Sequence, residues 1–243
     1  MPQRSSSRAV RPHRAGVAAA IFSSILTVVL VQPAAAVKLD FSDALQSLRN
    51  RTPVETVRLH GATMRVDVEH HSSHVAIVFD TEHPKHYPEL GTPNEDFDGP
   101  GDGEGGERGE EGENKTDLGK VLVIADSGNE LDADDADHSA PELEDGVIRL
   151  SFSHQGYLTL KLINVDDDDT RVVAYRDHEK VGELEARNLG ENSVQKIDLA
   201  RLGTIDRVEI ETDGVVAIAA IKLDVPVTGT EATTWTQVKK SYR

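Results

Sequence analysis

The sequence predicts an all-β chain, a jelly-roll-like antiparallel β-sandwich with long acidic loops, and three observations carry that expectation. Runs rich in β-branched residues alternate with period two from residue 54 onward. Turn signals separate these runs at close spacing, as in sandwiches and jelly rolls. No stretch between the runs has a sustained helical period.

The chain opens with Arg4, Arg8, Arg11 and Arg14, followed by an apolar run from Gly16 to Val31 and then Pro33-Ala34-Ala35-Ala36. A basic start, an apolar centre and a small-residue cleavage site are the three parts of a secretory signal peptide. The apolar run is short for a spanning helix, and no Arg-Arg pair marks a twin-arginine route. Residues 1–36 therefore read as a signal peptide, and the protein as secreted or cell-surface. Residues 37–226 read as one β domain and 227–243 as a polar C-terminal tail carrying Trp235.

Leu39-Asp40-Phe41 alternates like a strand, and Ala44 to Leu48 suits a helical turn. Strands follow over Thr56–His60, Ala62–Glu69 and His74–Asp80. Met64, Val66 and Val68 share one face of the second of these. Residues 81–117 have no hydrophobic period and contain Gly99-Pro100-Gly101-Asp102-Gly103-Glu104-Gly105-Gly106. Such a composition buries too little apolar surface to offset its ordering entropy, so Gly99 to Lys115 is expected to be mobile unless cations order it. Val121-Leu122-Val123-Ile124 is a continuous apolar run and reads as a buried strand. A second acidic loop, 126–145, precedes strands at Gly146–Ser153, Tyr157–Val165, Arg171–Arg176, Ser193–Leu199, Thr204–Thr212 and Val215–Asp224. Turns are expected at His154-Gln155-Gly156, Asp166–Asp169, Gly190-Glu191-Asn192, Leu202-Gly203 and Asp213-Gly214.

The full chain has 43 acidic and 26 basic side chains, a net charge of −17. Between Asp80 and Asp145 there are 22 acidic residues against 4 basic ones. A field of this sign disfavours nucleic acid and anionic lipid and favours divalent cations. The absence of cysteine excludes disulfides, thiol catalysis and thiolate metal sites.

Clustered aspartates on loops offer the oxygen ligands that calcium requires. Asp126, Asp132, Asp134, Asp135, Asp166 and Asp167 are the candidate ligands, expected to pin loops to one end of the sandwich. Neither aspartate run fits an EF-hand, which needs Gly at its sixth position and Glu at its twelfth. His60, His70, His71, His74, His83 and His86 cluster in sequence, but no His-Glu-x-x-His pattern supports a zinc site. Hydrolase elbows and phosphate loops are missing as well. Asn114-Lys115-Thr116 fits a glycosylation sequon, to which a bacterial-style export signal gives no weight.

Phe79-Asp80-Thr81, Glu89-Leu90-Gly91-Thr92-Pro93-Asn94, Gly99-Pro100-Gly101 and Leu118-Gly119-Lys120-Val121-Leu122-Val123-Ile124 together resemble a group of bacterial secreted domains of unassigned function. Such domains occur in PEP-CTERM-type exported proteins. Gly146 to Phe152, Ile163 to Asp166 and Asp213 to Ile218 extend the resemblance over most of Leu39 to Leu223. It implies a jelly-roll-like sandwich at or outside the cell surface and no particular reaction. Lys85-His86-Tyr87 departs from the pattern where relatives carry Thr, Gly and Asp, and Glu89 replaces another Asp. The C-terminus lacks the Pro-Glu-Pro motif, apolar helix and basic end of that anchor.

The leading expectation is a non-catalytic, calcium-binding exported domain for surface interaction or adhesion, with an extracellular protein or glycan as partner. A carbohydrate-binding module is the alternative, with Tyr157, Tyr175 and Phe152 as its few aromatics. A hydrolase using two loop carboxylates is the third class.

Overall fold

The structure, a computed structural model, describes residues 36–69, 73–127 and 142–226. The expected signal peptide up to residue 35, the tail 227–243 and the candidate ligands Asp132, Asp134 and Asp135 lie outside the described residues.

The described chain is mostly antiparallel β-sheet, 51% strand and 9% helix, with eleven strands joined in one sheet. β1 (Ala36–Asp40) leads into a short helix α1 (Phe41–Gln46), capped where the Asp40 carboxylate accepts from the Ser42 amide. Next come β2 (Thr56–Leu59), β3 (Ala62–Glu69), β4 (His74–Asp80) and β5 (Lys120–Asp126). β6 (Gly146–Ile163), β7 (Arg171–Arg176), β8 (Glu179–Glu185), β9 (Val194–Asp198), β10 (Ile205–Thr212) and β11 (Ala217–Pro226) complete the sheet. Its main path runs β4-β5-β11-β6-β10-β7-β8, with β1 on β11, β3 and β9 on β6, and β2 on β3. Among the described residues no helix is long and apolar enough to cross a membrane.

β6 organises everything else. The sequence reading breaks it at His154-Gln155-Gly156, but the structure shows one strand of eighteen residues. Even-numbered residues face the core in both halves, Ile148, Leu150 and Phe152 in the first and Leu158, Leu160 and Leu162 in the second, with His154 between them exposed. The first half pairs with β3 and β10, the second with β11 and β9. The β10 register slips between Ile205 and Arg207, a bulge opposite the middle of β6. Gly156 stands there because of close backbone approach, not a turn: a Cβ on it would lie 2.9 Å from the Asp224 carbonyl oxygen. Both halves feed one core, in which Phe41 of α1 meets Phe152 with ring centroids 5.7 Å apart.

β8 is absent from the sequence reading. Its pairing with β7 turns on Asp177 and His178, both at positive φ (52° and 71°). That is a two-residue hairpin turn made without glycine, so the usual turn signal is missing.

β5 is buried, as its apolar run predicts, and the structure shows burial on both faces. Leu122 and Ile124 enter the main core, whereas Val121, Val123 and Ala125 enter a second cluster with Ile77, Phe79, Ile163 and Ala217. That second cluster is covered by Leu90, Tyr87 and Leu118. These flank the glycine-rich run of the same connection, which is held throughout by hydrogen bonds. Its base is closed by Thr81 and Thr92, whose hydroxyl oxygens lie 2.6 Å apart, and by the Leu118 amide donating to Thr92 Oγ1. A cis peptide joins Thr92 to Pro93. The glycines permit main chain to pack on main chain: a Cβ on Gly105 would stand 2.1 Å from the Leu189 carbonyl oxygen, and one on Gly101 would stand 2.3 Å from that of Gly91. Backbone hydrogen bonds thus take the place of the apolar burial that the composition lacks.

Candidate functional site

Four asparagines fasten the glycine-rich connection to the end of the sheet. Asn192, fully buried, uses every side-chain valence: Nδ2 donates to the carbonyls of Glu89 (2.9 Å) and Gly91 (2.7 Å), and Oδ1 accepts from Asn94 Nδ2 (3.0 Å) and Asn114 Nδ2 (2.9 Å). The Asn192 amide donates to Asn164 Oδ1, and Asn164 Nδ2 donates to the Val215 carbonyl. Asn164 and Asn192 both have positive φ, 64° and 60°, a conformation asparagine tolerates better than most residues. Asn114, the residue of the sequon, is 1% exposed and its amide nitrogen is fully engaged, so it is inaccessible to glycosylation in the folded chain.

This hub brings five separate segments around one open cleft of about 420 Å³. The 3-10 turn Pro88–Leu90 supplies Glu89, and the glycine-rich connection supplies Asp102, whose amide donates to the Pro88 carbonyl. The exit of β6 supplies Asp166 and Asp167, the turn before β9 supplies Glu191, and the β10–β11 connection supplies Asp213. Six carboxylates line the cleft with no basic residue among them. Gly214 forms part of the wall, and a Cβ there would meet Asp166 Oδ1 at 3.6 Å and Asp167 Oδ2 at 3.7 Å.

The electrostatics follow from this crowding. The Glu89 carboxyl is pushed above the usual carboxylate range, first by burial and then by repulsion from Glu191 and Asp166, against a backbone hydrogen bond that favours the anion. Asp167 is partly committed to its own turn: it accepts from the amides of Asp169 and Thr170 and from the Thr170 hydroxyl at 2.8 Å. Asp166, Asp102, Glu191 and Asp213 are the freer oxygens. Hard cations with oxygen ligands suit such a set, and soft metals do not.

Of the sequence-predicted ligands, the fold brings Asp166 and Asp167 into the cleft. Asp126 does not line it. It ends β5 opposite His74 and donates its amide to the Glu142 carbonyl. The sequence reading missed Glu89, Asp102, Glu191 and Asp213, though it did place the last two in turns.

The described residues do not bring the sequence-clustered histidines together, and His70 and His71 lie outside them. His60 occupies the β2–β3 turn at one end of β3, whereas His74 follows its other end. Asp80, Glu82 and His83 do bring ligand atoms within 4.8 Å of one another, with Glu82 and His83 exposed. That grouping is a local turn, in which Asp80 also accepts from the Glu82 amide. A larger cleft of about 610 Å³ lies beside β8 and β9, where Arg187 pairs with Glu111 and Lys196 with Asp198. Among the sequence-predicted aromatics, Phe152 is core, Tyr175 donates to Glu209 Oε2 at 2.6 Å under the guanidinium of Arg207, and Tyr157 is 42% exposed.

Compared with models of known protein families and with curated proteins, the chain matches none.

Proposed function

We propose that this chain is a non-catalytic, exported β-sandwich domain that binds calcium in the Asp166 cleft and so shapes one end of the sheet for interaction or adhesion at a bacterial cell surface. The observation that carries the reading is the convergence of Glu89, Asp102, Asp166, Asp167, Glu191 and Asp213, drawn from five segments up to 124 residues apart, on one cleft without a counter-charge. Like charges gathered at this density disfavour the folded state unless a cation joins them. The one core shared by both halves of the sheet supports the two-layer form. The export signal and the resemblance to secreted domains support the location.

Calcium bound only to the folded chain raises its stability by about 2.7 kcal/mol at a hundredfold excess over Kd. For a domain of this size that is a shift of roughly 5–10 °C in thermal unfolding. The experiment compares unfolding in EDTA and in about 10 mM calcium, above the weakest extracellular sites. Replacing Asp166 and Asp213 together by Asn should abolish the shift. No shift in the parent chain overturns the reading.

One observation favours a second reading: the raised Glu89 carboxyl beside Asp166 is the pairing a carboxylate-dependent hydrolase uses. Hydrolysis of a glycoside library that is lost in Glu89→Gln would support it, and a blank library removes it.

A further inference from the structure

The outer face of the β1-β11-β6-β9 quarter carries the opposite charge. Lys38, Lys222, Lys161 and Lys196 each come from one of these four adjacent strands and line a groove of about 450 Å³. Register places them on one face: Lys161 lies opposite Lys196 on β9 and Ala220 on β11, and Thr159 lies opposite Lys222. Thr159 and Ala220 are short side chains between lysines, which is why a groove exists there. Two carboxylates also line it. Asp40 is bound to Lys222 at 2.9 Å, and Asp224 faces Lys38 in register. Lys196 has Asp198 at 3.7 Å.

Lys161 has no acidic partner among the described residues. Its amine is held below the ordinary lysine range, first by burial and then by repulsion from Lys222. Placing Lys196 directly across from it adds a like-charge cross-strand pair, an arrangement that destabilises a sheet. Lys161, partnerless and set among other lysines in a groove of so acidic a chain, would be relieved by an anion from outside.

Tyr157 gives that anion its class. It lies on the same face, two residues before Thr159 on β6 and opposite Asp224, and it is one of the two large apolar side chains exposed among the described residues. An open aromatic ring next to a row of lysines presents a sugar with a stacking surface and its carboxylate with a cation. Lys161 and Lys196 stand directly across from each other on neighbouring strands, whereas Lys222 and Lys38 are each displaced by two residues, diagonal steps of about 7–8 Å that set the four amines obliquely across the strands. At physiological salt the screening length is about 8 Å, so a polyanion at this face feels chiefly the charges within the groove.

We infer that this groove is a second binding surface, distinct from the acidic cleft, whose ligand is an acidic polysaccharide lying across β1, β11, β6 and β9 with its carboxylates on Lys161 and Lys196 and a sugar ring on Tyr157. The inference does not rest on calcium binding.

The test is affinity electrophoresis of the full chain, in EDTA, through gels cast with polygalacturonate, neutral dextran or polyglutamate. Polygalacturonate should retard the chain and dextran should not. Lys161→Met combined with Lys196→Met should weaken retardation about tenfold or more, Tyr157→Ser should weaken it, and Lys161→Arg should largely preserve it. Each variant should unfold at or above the parent temperature, which separates lost binding from lost fold. Absence of retardation, or retardation indifferent to the lysine substitutions, overturns the inference. Equal retardation by polyglutamate, unchanged in Tyr157→Ser, reassigns the groove to acidic peptides and overturns the polysaccharide. Because EDTA is present throughout, failure here leaves the calcium test untouched, and the reverse holds as well.

Discussion

Asn192 is the point at which a single change should detach the acidic cleft from the sheet. Its side chain makes four hydrogen bonds in a site closed to water, two as donor and two as acceptor. At about 1 kcal/mol net for each, Asn192→Gly should cost about 4 kcal/mol, because glycine keeps the positive φ while removing all four bonds. Asn192→Asp is the sharper probe. Aspartate keeps the acceptor oxygen for Asn94 and Asn114 but turns a second oxygen toward the Glu89 and Gly91 carbonyls. A carboxylate there is repelled, so its pKa in the folded state must rise above its unfolded value. The folded state then holds a proton that the unfolded state has released, and stability falls as pH rises through that interval. Urea unfolding at several pH values measures both effects. Asn192→Gly should lower the midpoint by the stated energy, and Asn192→Asp should recover stability toward pH 4, where the parent does not. Hydrogen exchange should show the Gly105 and Asn114 amides, bonded to the Glu191 and Gly106 carbonyls, losing protection before those of β6. A loss below about 1 kcal/mol in Asn192→Gly, or no pH-dependent recovery in Asn192→Asp, would refute the argument that this residue fastens the connection.

Three further outcomes are expected. Glu209 is 9% exposed and, although burial works against its charge, hydrogen bonds from Tyr175 and Arg149 hold its carboxyl below the usual range. Its contribution is therefore present above the ordinary glutamate pKa and lost as pH falls through its folded value. Glu209→Gln should cost about 1.5–3 kcal/mol at neutral pH and flatten the acid limb of a stability profile. For Lys161 the sign is reversed: its lowered amine pKa means the folded state binds fewer protons, so the parent chain gains stability as pH rises through the alkaline range. Lys161→Met should remove that gain and raise thermal stability slightly at pH 7, as calorimetry would show. Gly101→Ala places a methyl 2.3 Å from the Gly91 carbonyl oxygen and near the Asn192 amide. It should destabilise by more than about 2 kcal/mol, whereas Gly109→Ala, with open space around it, should cost only the penalty of its positive φ, about 1 kcal/mol.

Local pattern determined a good deal. Alternation marks β3, the unbroken apolar run of β5 states burial, and Asp166–Asp169 and Asp213-Gly214 declare their turns. These signals are legible because each concerns neighbours a few residues apart and a period set by the strand itself. Tertiary structure decided the rest. Gly156 reads as a turn in isolation, and only the approach of β11 shows that it is a close-packing position within one long strand. The glycine-rich connection reads as unstructured because its composition holds little apolar surface. Its order comes from main-chain packing and from an asparagine hub that joins Asn192 to a carbonyl 103 residues away. Asp166 was visible as a candidate ligand, whereas Glu89 and Asp102 were two acids among many until the fold put them across the cleft from it. Polar hydrogen bonding leaves no periodicity in a sequence, and charge on loops has none either. What a carboxylate or a lysine can do here depends on which distant strand end the sheet sets beside it.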